Sequence, residues 1–327
     1  MNKTVKIAFG FAISIGLLIY VLSQIDWAVL KVEIVNVQWI PIFITAALWI
    51  FHFYIRAIRW NYLLPVEKET SVMLRFESIM IGVFATFLLP LRAGEFIRPM
   101  YLAKYTDVGF TQGFVSVFIE RFFDLLCVLA LFVSVSFLVP NLPQWTTSGA
   151  VVFGTLASGI FVFILFCLLL PNFISSLTAK VTSILPAKIS QIINKIVNDV
   201  IQGARAIGSL HRFLMVIFLT LVIWGLNVVV FHLFLQTVSI PFDWMLSTTL
   251  TVLIALAVAA PSAPGFIGVY QVATVACFSM FGYSAEKATA YSLFSHAQQY
   301  IMFAVIGVFI LVKRGLSLKS LRQTNHA

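Results

Sequence analysis

The sequence predicts an all-α, polytopic helical membrane protein, with about six full spans plus two broken or re-entrant hairpins arranged as an inverted repeat. Three observations predict this. Of the 327 residues, 61% are hydrophobic and only 10% charged, whereas soluble domains carry roughly 25% charged residues because a wetted surface needs them. Apolar runs long enough to cross a bilayer, roughly 20 residues, recur from Val5 to Val312. Two further apolar regions are interrupted at their centres by Pro, Gly and charged residues.

Lys3 and Lys6 accompany an apolar run over 5–25. It is long for a signal peptide and lacks a small-x-small cleavage pattern, so it is predicted to be the first span. Residues 39–54, 114–138, 151–170, 213–235 and 289–312 supply the other five. The first broken hairpin covers 76–105, where the apolar stretch runs into LPLRAGEFIRP; the second covers 245–281 and is broken by APSAPGFIG. Interior Pro removes a helical N–H and clashes with the preceding turn, so each region is expected to fold back on itself. Residues 171–212 are more polar, with Ile184, Ile189, Ile192, Ile193, Ile196, Val197 and Ile201 at helical spacing. They read as an amphipathic connector on the membrane surface, its charges either a wet face or contacts to anionic headgroups.

Charge placement tests the layout, because Lys and Arg collect in cytoplasmic loops. If both hairpins enter and leave on one side, all of the 21 Lys and Arg except Lys31, Lys287 and Arg121 fall on the cytoplasmic side, with both termini there. A full crossing by the first hairpin would destroy this asymmetry. The chain then repeats the order span, span, hairpin, span: a first unit at 1–139, a second of opposite orientation at 140–312, and a basic tail at 313–327. The breaks correspond as well. PLRAGEFIR and PSAPGFIG each place Pro four residues before Gly, with Phe-Ile following, at an offset of 171 residues between Gly94 and Gly265. Inverted repeats with broken helices at their interface are an architecture of transporters, with substrate bound near that interface. A multi-pass protein of the cell (inner or plasma) membrane is expected.

The net charge of +9 reads as orientation signal, and nucleic acid is not an expected partner. Cys127, Cys167 and Cys277 lie in separate apolar runs, so neither a disulfide framework nor a thiolate metal site is indicated. There is no G-x-S-x-G, H-E-x-x-H or phosphate-loop motif, and no cofactor or metal is expected. A membrane-embedded transferase, which can lack such motifs, stays open.

Intramembrane charges are costly and point to function. Glu120 and Asp124 are four apart on one helical face, where two carboxylates repel, with Arg121 about 100° around. A cation should meet that face. Arg92 and Arg98, which with Glu95 share a face if helical, are the nearest candidates, and such a network lining a polar cavity is the main site reading. The alternative is that Glu120 and Arg121 sit at the mouth and only fix orientation. His52, Arg56 and Arg59, spaced i, i+4, i+7, are either snorkelling side chains or a phosphate clamp. Pro261, Pro264, Gly265 and Gly268 break the second hairpin, and a half-helix from Phe266 would aim free amides at an anion unless the break is merely a kink. Gln271 and the Gln298, Gln299, Tyr300 group are candidate cavity lining. Asn227, His232 and His296 read as hydrogen-bonded to neighbouring helices.

RAIRWNYLL at 56–64, RAGEFIRP at 92–99, ERFFDLL at 120–126 and PSAPGFIGVYQ at 261–271 together resemble the lysylphosphatidylglycerol synthase transmembrane, or flippase-like, family over nearly the whole chain. Glu95, Arg98, Glu120, Arg121 and Asp124 follow the family pattern. Ala93 and Phe266 stand where that pattern usually has Gly, and Gln271 where it has Glu, so no acid or proton role in the second hairpin is implied. The resemblance implies translocation of a lipid with a polar or charged headgroup, such as aminoacyl-phosphatidylglycerol or a polyprenyl-phosphate-linked sugar. Fused members carry an aminoacyltransferase domain. With the last span ending shortly before Ala327, synthase activity is not expected here, and any enzyme making the lipid, or one that this chain would assist as an accessory subunit, is expected to be a separate chain.

Overall fold

The computed structural model describes residues 15–65, 70–89, 92–139, 169–183, 209–259 and 264–316, with isolated positions between 155 and 197. Among the described residues every regular element is helical. α1 (Ile15–Ser23) is followed by a bend of 95° into α2 (Trp27–Val35). This second helix is absent from the predicted spans. Asp26 creates it, accepting the N–H groups of Ala28 and Val29 at 2.8 and 3.3 Å as an N-cap. The earlier part of the first span, the 151–170 span and most of the 184–201 amphipathic pattern lie outside the described residues.

α3 (Trp39–Asn61) outlasts its expected end at residue 54. Its final carbonyls are taken by arginines from elsewhere: Arg75 Nε donates to Ala57 O at 2.8 Å, and Arg212 Nη2 to Asn61 O and Leu64 O at 2.7 Å each. These bonds satisfy groups that a helix end leaves open. α4 (Val72–Leu88) and α5 (Gly94–Tyr105) form the first hairpin, and α6 (Phe110–Leu138) follows. The hairpin arms are antiparallel, with Tyr101 Oη donating to Glu77 and Gly94 lying against Gly82. A Cβ on Gly94 would sit 1.8 Å from the Gly82 carbonyl oxygen, so the backbones touch, as small residues permit between membrane helices.

α7 (Pro171–Thr182) opens the connector, and α8 (Leu210–Phe234) runs into a 3-10 turn ending at Val238. The second hairpin is α9 (Trp244–Ala259), a 3-10 turn at Pro264–Phe266, and α10 (Val269–Met280). α11 (Ala285–Lys313) is the last span. The longest hairpin arm has 17 residues, about 25 Å of helix against a hydrocarbon core of about 30 Å. By contrast α3, α6, α8 with its turn, and α11 are each long and apolar enough to cross. Phe43, Phe118, Phe218 and Phe309 are exposed on these four helices, the apolar surface that lipid covers. The chain is a multi-pass helical membrane protein.

Packing is reciprocal. The spans α3 and α8 lie side by side; α6 packs on α9 of the second hairpin, and α11 packs on α4 of the first. The span that follows each hairpin therefore also packs on the other hairpin. The end of α11 is fastened to the first hairpin, since Lys313 Nζ and Arg314 Nη2 meet the buried Glu77 carboxylate at 2.9 and 2.5 Å.

Candidate functional site

The two hairpin tips meet. Arg92 Nη2 donates to Val258 O at 2.5 Å, the Arg92 guanidinium lies 5.7 Å from the centre of the Phe266 ring, and Phe87 meets the edge of that ring at 6.0 Å. Arg92 has φ 53°, in the left-handed region that costs an L-residue roughly 1–2 kcal/mol. It precedes the start of α5 at Gly94, so the expected helical face shared by Arg92, Glu95 and Arg98 does not form. Arg92 reaches the opposite hairpin and not the carboxylates of α6.

Beneath the tips, α6 presents Glu120 and Asp124 to a ring of guanidiniums. Glu120 is fully buried. Its Oε2 accepts from Arg98 at 2.7 Å, and its Oε1 faces Arg56 at 2.6 Å, Arg121 at 2.8 Å and Arg59 at 3.2 Å. Asp124 Oδ1 accepts from Arg59 Nη1 at 2.7 Å and from Trp224 Nε1 at 3.3 Å, and its Oδ2 lies 3.3 Å from Arg121. Arg121 also lies 4.0 Å from Glu95. Arg59 gives a further N–H to Thr220 Oγ1 at 2.8 Å, and Arg98 stacks 3.8 Å from the centre of the Trp60 ring. Both arginines are buried. Burying charges without partners is prohibitive, and here each is met by an opposite charge, with a hydroxyl added at Arg59 and an aromatic face at Arg98.

The sequence reading named Arg98 as a partner for Glu120, and the two are in contact. It left Arg56 and Arg59 between snorkelling and a clamp. They do not snorkel: both turn into the bundle and make three of the six ion pairs that Glu120 and Asp124 form among the described residues. The available signal was complementarity, Arg56 and Arg59 on one face of α3 against Glu120 and Asp124 at i, i+4 on α6. Hydropathy obscured it by treating those arginines as the end of the span.

The second hairpin brings uncharged groups. Gln271 Oε1 accepts the Gly268 N–H at 2.8 Å, Gln271 Nε2 lies 3.2 Å from His296 Nδ1, and His296 Nε2 lies 2.8 Å from Gly265 O. α10 starts at Val269 rather than Phe266, and Gln271 already caps an amide expected to be free. Tyr300 Oη donates to Pro264 O at 3.3 Å, and a Cβ on Gly265 would fall 1.5 Å from that hydroxyl oxygen. With φ 66°, Gly265 is required on both counts. Asn227 Nδ2 lies 3.3 Å from His52 Nε2.

A cavity of about 260 Å³ lies between the two hairpins; some of these groups line it, but Arg59, Glu120, Gly265, Gln271 and Tyr300, the last two expected as lining, stand behind its wall. Arg56, Arg92, Glu95, Arg98, Arg121 and Asp124 form its charged wall, and Asn227, Tyr270, His296 and Gln299 stand on the neutral one. Gln298 turns away, donating to Thr45 Oγ1 at 2.9 Å and to the Ile42 carbonyl. His232 is stacked between Trp244 and Phe242. Cys127 and Cys277 are buried and unpaired, and Cys167 lies outside the described residues. No group of three or more His, Cys, Asp or Glu among the described residues is placed to hold a metal ion.

Comparison with known families agrees with the arrangement of these motifs. A family model described as the lysylphosphatidylglycerol synthase TM region matches residues 7–307, and the chain belongs to this family. No curated protein and no solved structure matches it.

Proposed function

We propose that this member of the lysylphosphatidylglycerol synthase transmembrane family moves a lipid with a polar or charged headgroup between the leaflets of the cell membrane. One observation carries the reading. Where the two hairpin tips converge, five guanidiniums (Arg56, Arg59, Arg92, Arg98, Arg121) face three carboxylates (Glu95, Glu120, Asp124), leaving two positive charges in excess at an intramembrane cavity. Such charges are expensive in a bilayer, and a structural ion pair needs only as many cations as anions. The excess suits a phosphate, which a planar guanidinium can bind with two N–H groups at once. Short hairpins at the interface of two reciprocally packed halves support alternating access. In this mechanism the headgroup crosses between the hairpins while the acyl chains remain in the lipid. Arg92, Arg98 and Arg56 hold its phosphate, and Glu120 and Asp124 balance the arginines when the cavity is empty. Pro264 and Gly265 shape the tip, and both termini face the cytoplasm.

The test is headgroup translocation in proteoliposomes, read with fluorescent phospholipids and a membrane-impermeant quencher. Arg92→Gln and Arg56→Gln, which leave the deeper Arg59–Asp124 and Arg98–Glu120 pairs in place, should slow translocation at least about tenfold with little change in Tm. Unaltered rates in both would remove the cavity from the transport path and favour a non-transporting accessory subunit.

A further inference from the structure

The cavity is not uniformly polar, and its division bears on which headgroup it accepts. Of the three carboxylates at this site, Glu120 and Asp124 are fully engaged, whereas Glu95, 30% exposed, has only Arg121 at 4.0 Å. Both oxygens of Glu120 are held by guanidiniums, both oxygens of Asp124 are met by Arg59 and Arg121, and Glu95 lies beside Arg121. The guanidiniums are not all engaged in this way. Arg92 makes no ion pair with any described carboxylate and donates to a backbone carbonyl, while Arg56 keeps an exposed edge.

The opposite wall carries no charge, and its hydrogen bonds show why. Gln271 Oε1 must be the atom receiving the Gly268 N–H, so its amide nitrogen is the atom facing His296 Nδ1 and donates to it. Nδ1 is therefore an acceptor without a proton, and Nε2–H donates to Gly265 O. His296 is held as a neutral imidazole, with Tyr270 stacked on it at 4.5 Å. Asn227 and Gln299 add amides, and Trp49 and Trp224 add aromatic faces. Neutral amides and imidazole suit hydroxyl groups and bring an ammonium no counter-charge, only the weaker attraction of the ring faces.

We propose, on the basis of the transport reading above, that the cavity selects a headgroup of net negative charge, a phosphate ester bearing a neutral hydroxylated group. A headgroup carrying ammonium charge is disfavoured by the two unbalanced guanidiniums, and the one partly open carboxylate, Glu95, already lies 4.0 Å from Arg121. The selectivity is thus opposite to what the lysyl ester in the family's name suggests.

The experiment uses the full wild-type chain. A fluorescent phosphatidylglycerol probe is bound in detergent micelles and displaced by phosphatidylglycerol, by lysyl-phosphatidylglycerol or by soluble glycerol 3-phosphate; the same two lipids are then assayed for translocation in proteoliposomes. Phosphatidylglycerol should displace the probe at least about tenfold more effectively than its lysyl ester, and glycerol 3-phosphate only weakly. Equal or better displacement by the lysyl ester overturns the inference, and if translocation of either lipid persists the transport reading survives. Preference for phosphatidylglycerol without translocation supports the headgroup class and overturns transport. Displacement by glycerol 3-phosphate as effective as by the lipid identifies a soluble anion and overturns both, as does the absence of probe binding. Asn227→Asp, which adds an unengaged carboxylate to the neutral wall, should narrow the preference; an unchanged ratio in a variant of wild-type Tm would refute the electrostatic explanation.

Discussion

The first hairpin brings its polar groups to the cavity as charges, and the second brings them as dipoles. At the first tip Arg98 joins Arg56, Arg59 and Arg121 around the carboxylates of α6, with Glu95 beside Arg121 and Arg92 reaching the other tip. At the second, Gln271, His296 and backbone carbonyls close a neutral chain of hydrogen bonds. Both tips nonetheless solve the same backbone problem. Each turns through a residue other than Gly at positive φ, Arg92 in one and Phe266 in the other, and each places an aromatic or cationic side chain on its counterpart. Two elements of like shape can therefore divide a site between them, one supplying attraction for a phosphate and the other a surface for what the phosphate carries.

The sharpest way to break this comparison is to remove one polar group from each half. Glu120→Gln leaves four guanidiniums, those of Arg59 and Arg98 buried, facing a neutral amide and should destabilise the protein by about 3–5 kcal/mol. Gln271→Ala removes a helix cap and one bond to His296, and should cost only about 1–2 kcal/mol. Thermal unfolding of the two variants in the same detergent measures the difference; equal losses would mean that the two tips are energetically alike. For the same reason, lost transport in Glu120→Gln must be read against its Tm.

A smaller and more specific effect is expected from Gln271→Glu. A carboxylate there can accept the Gly268 N–H and also a proton on His296 Nδ1, a pairing that exists only while the imidazole is charged. The variant should be most stable relative to wild type near about pH 5.5 and lose that advantage towards about pH 8. A Tm difference independent of pH over that range would show that His296 stays neutral whatever faces it. The smallest effect concerns Phe266→Gly. Relief of left-handed backbone, roughly 1–2 kcal/mol, is offset by loss of the Phe87 edge contact and the Arg92 cation–π contact, together roughly 1–2 kcal/mol. Tm should move little, whereas a marked fall would show that the aromatic tip contact, not the turn, holds the hairpins together.

Composition and hydropathy determined by themselves that the chain is a polytopic helical membrane protein, because apolar length and missing charge are properties of segments and need no partners to be read. They also located both helix breaks, since Pro and Gly act on their own backbone. The i, i+4 spacing of Glu120 and Asp124 announced a demand for cations in the same local way. What met the demand was decided by tertiary structure. Arg56 and Arg59 lie some 60 residues away on α3, and Arg92, placed on the predicted face with Glu95 and Arg98, leaves it because its backbone turns left-handed. The extension of α3 past residue 54 and the neutral state of His296 were likewise beyond local reading. Each depends on which hydrogen-bond partner another part of the chain delivers, and a charge that seems to end a span in sequence can continue it once a buried counter-charge is in place.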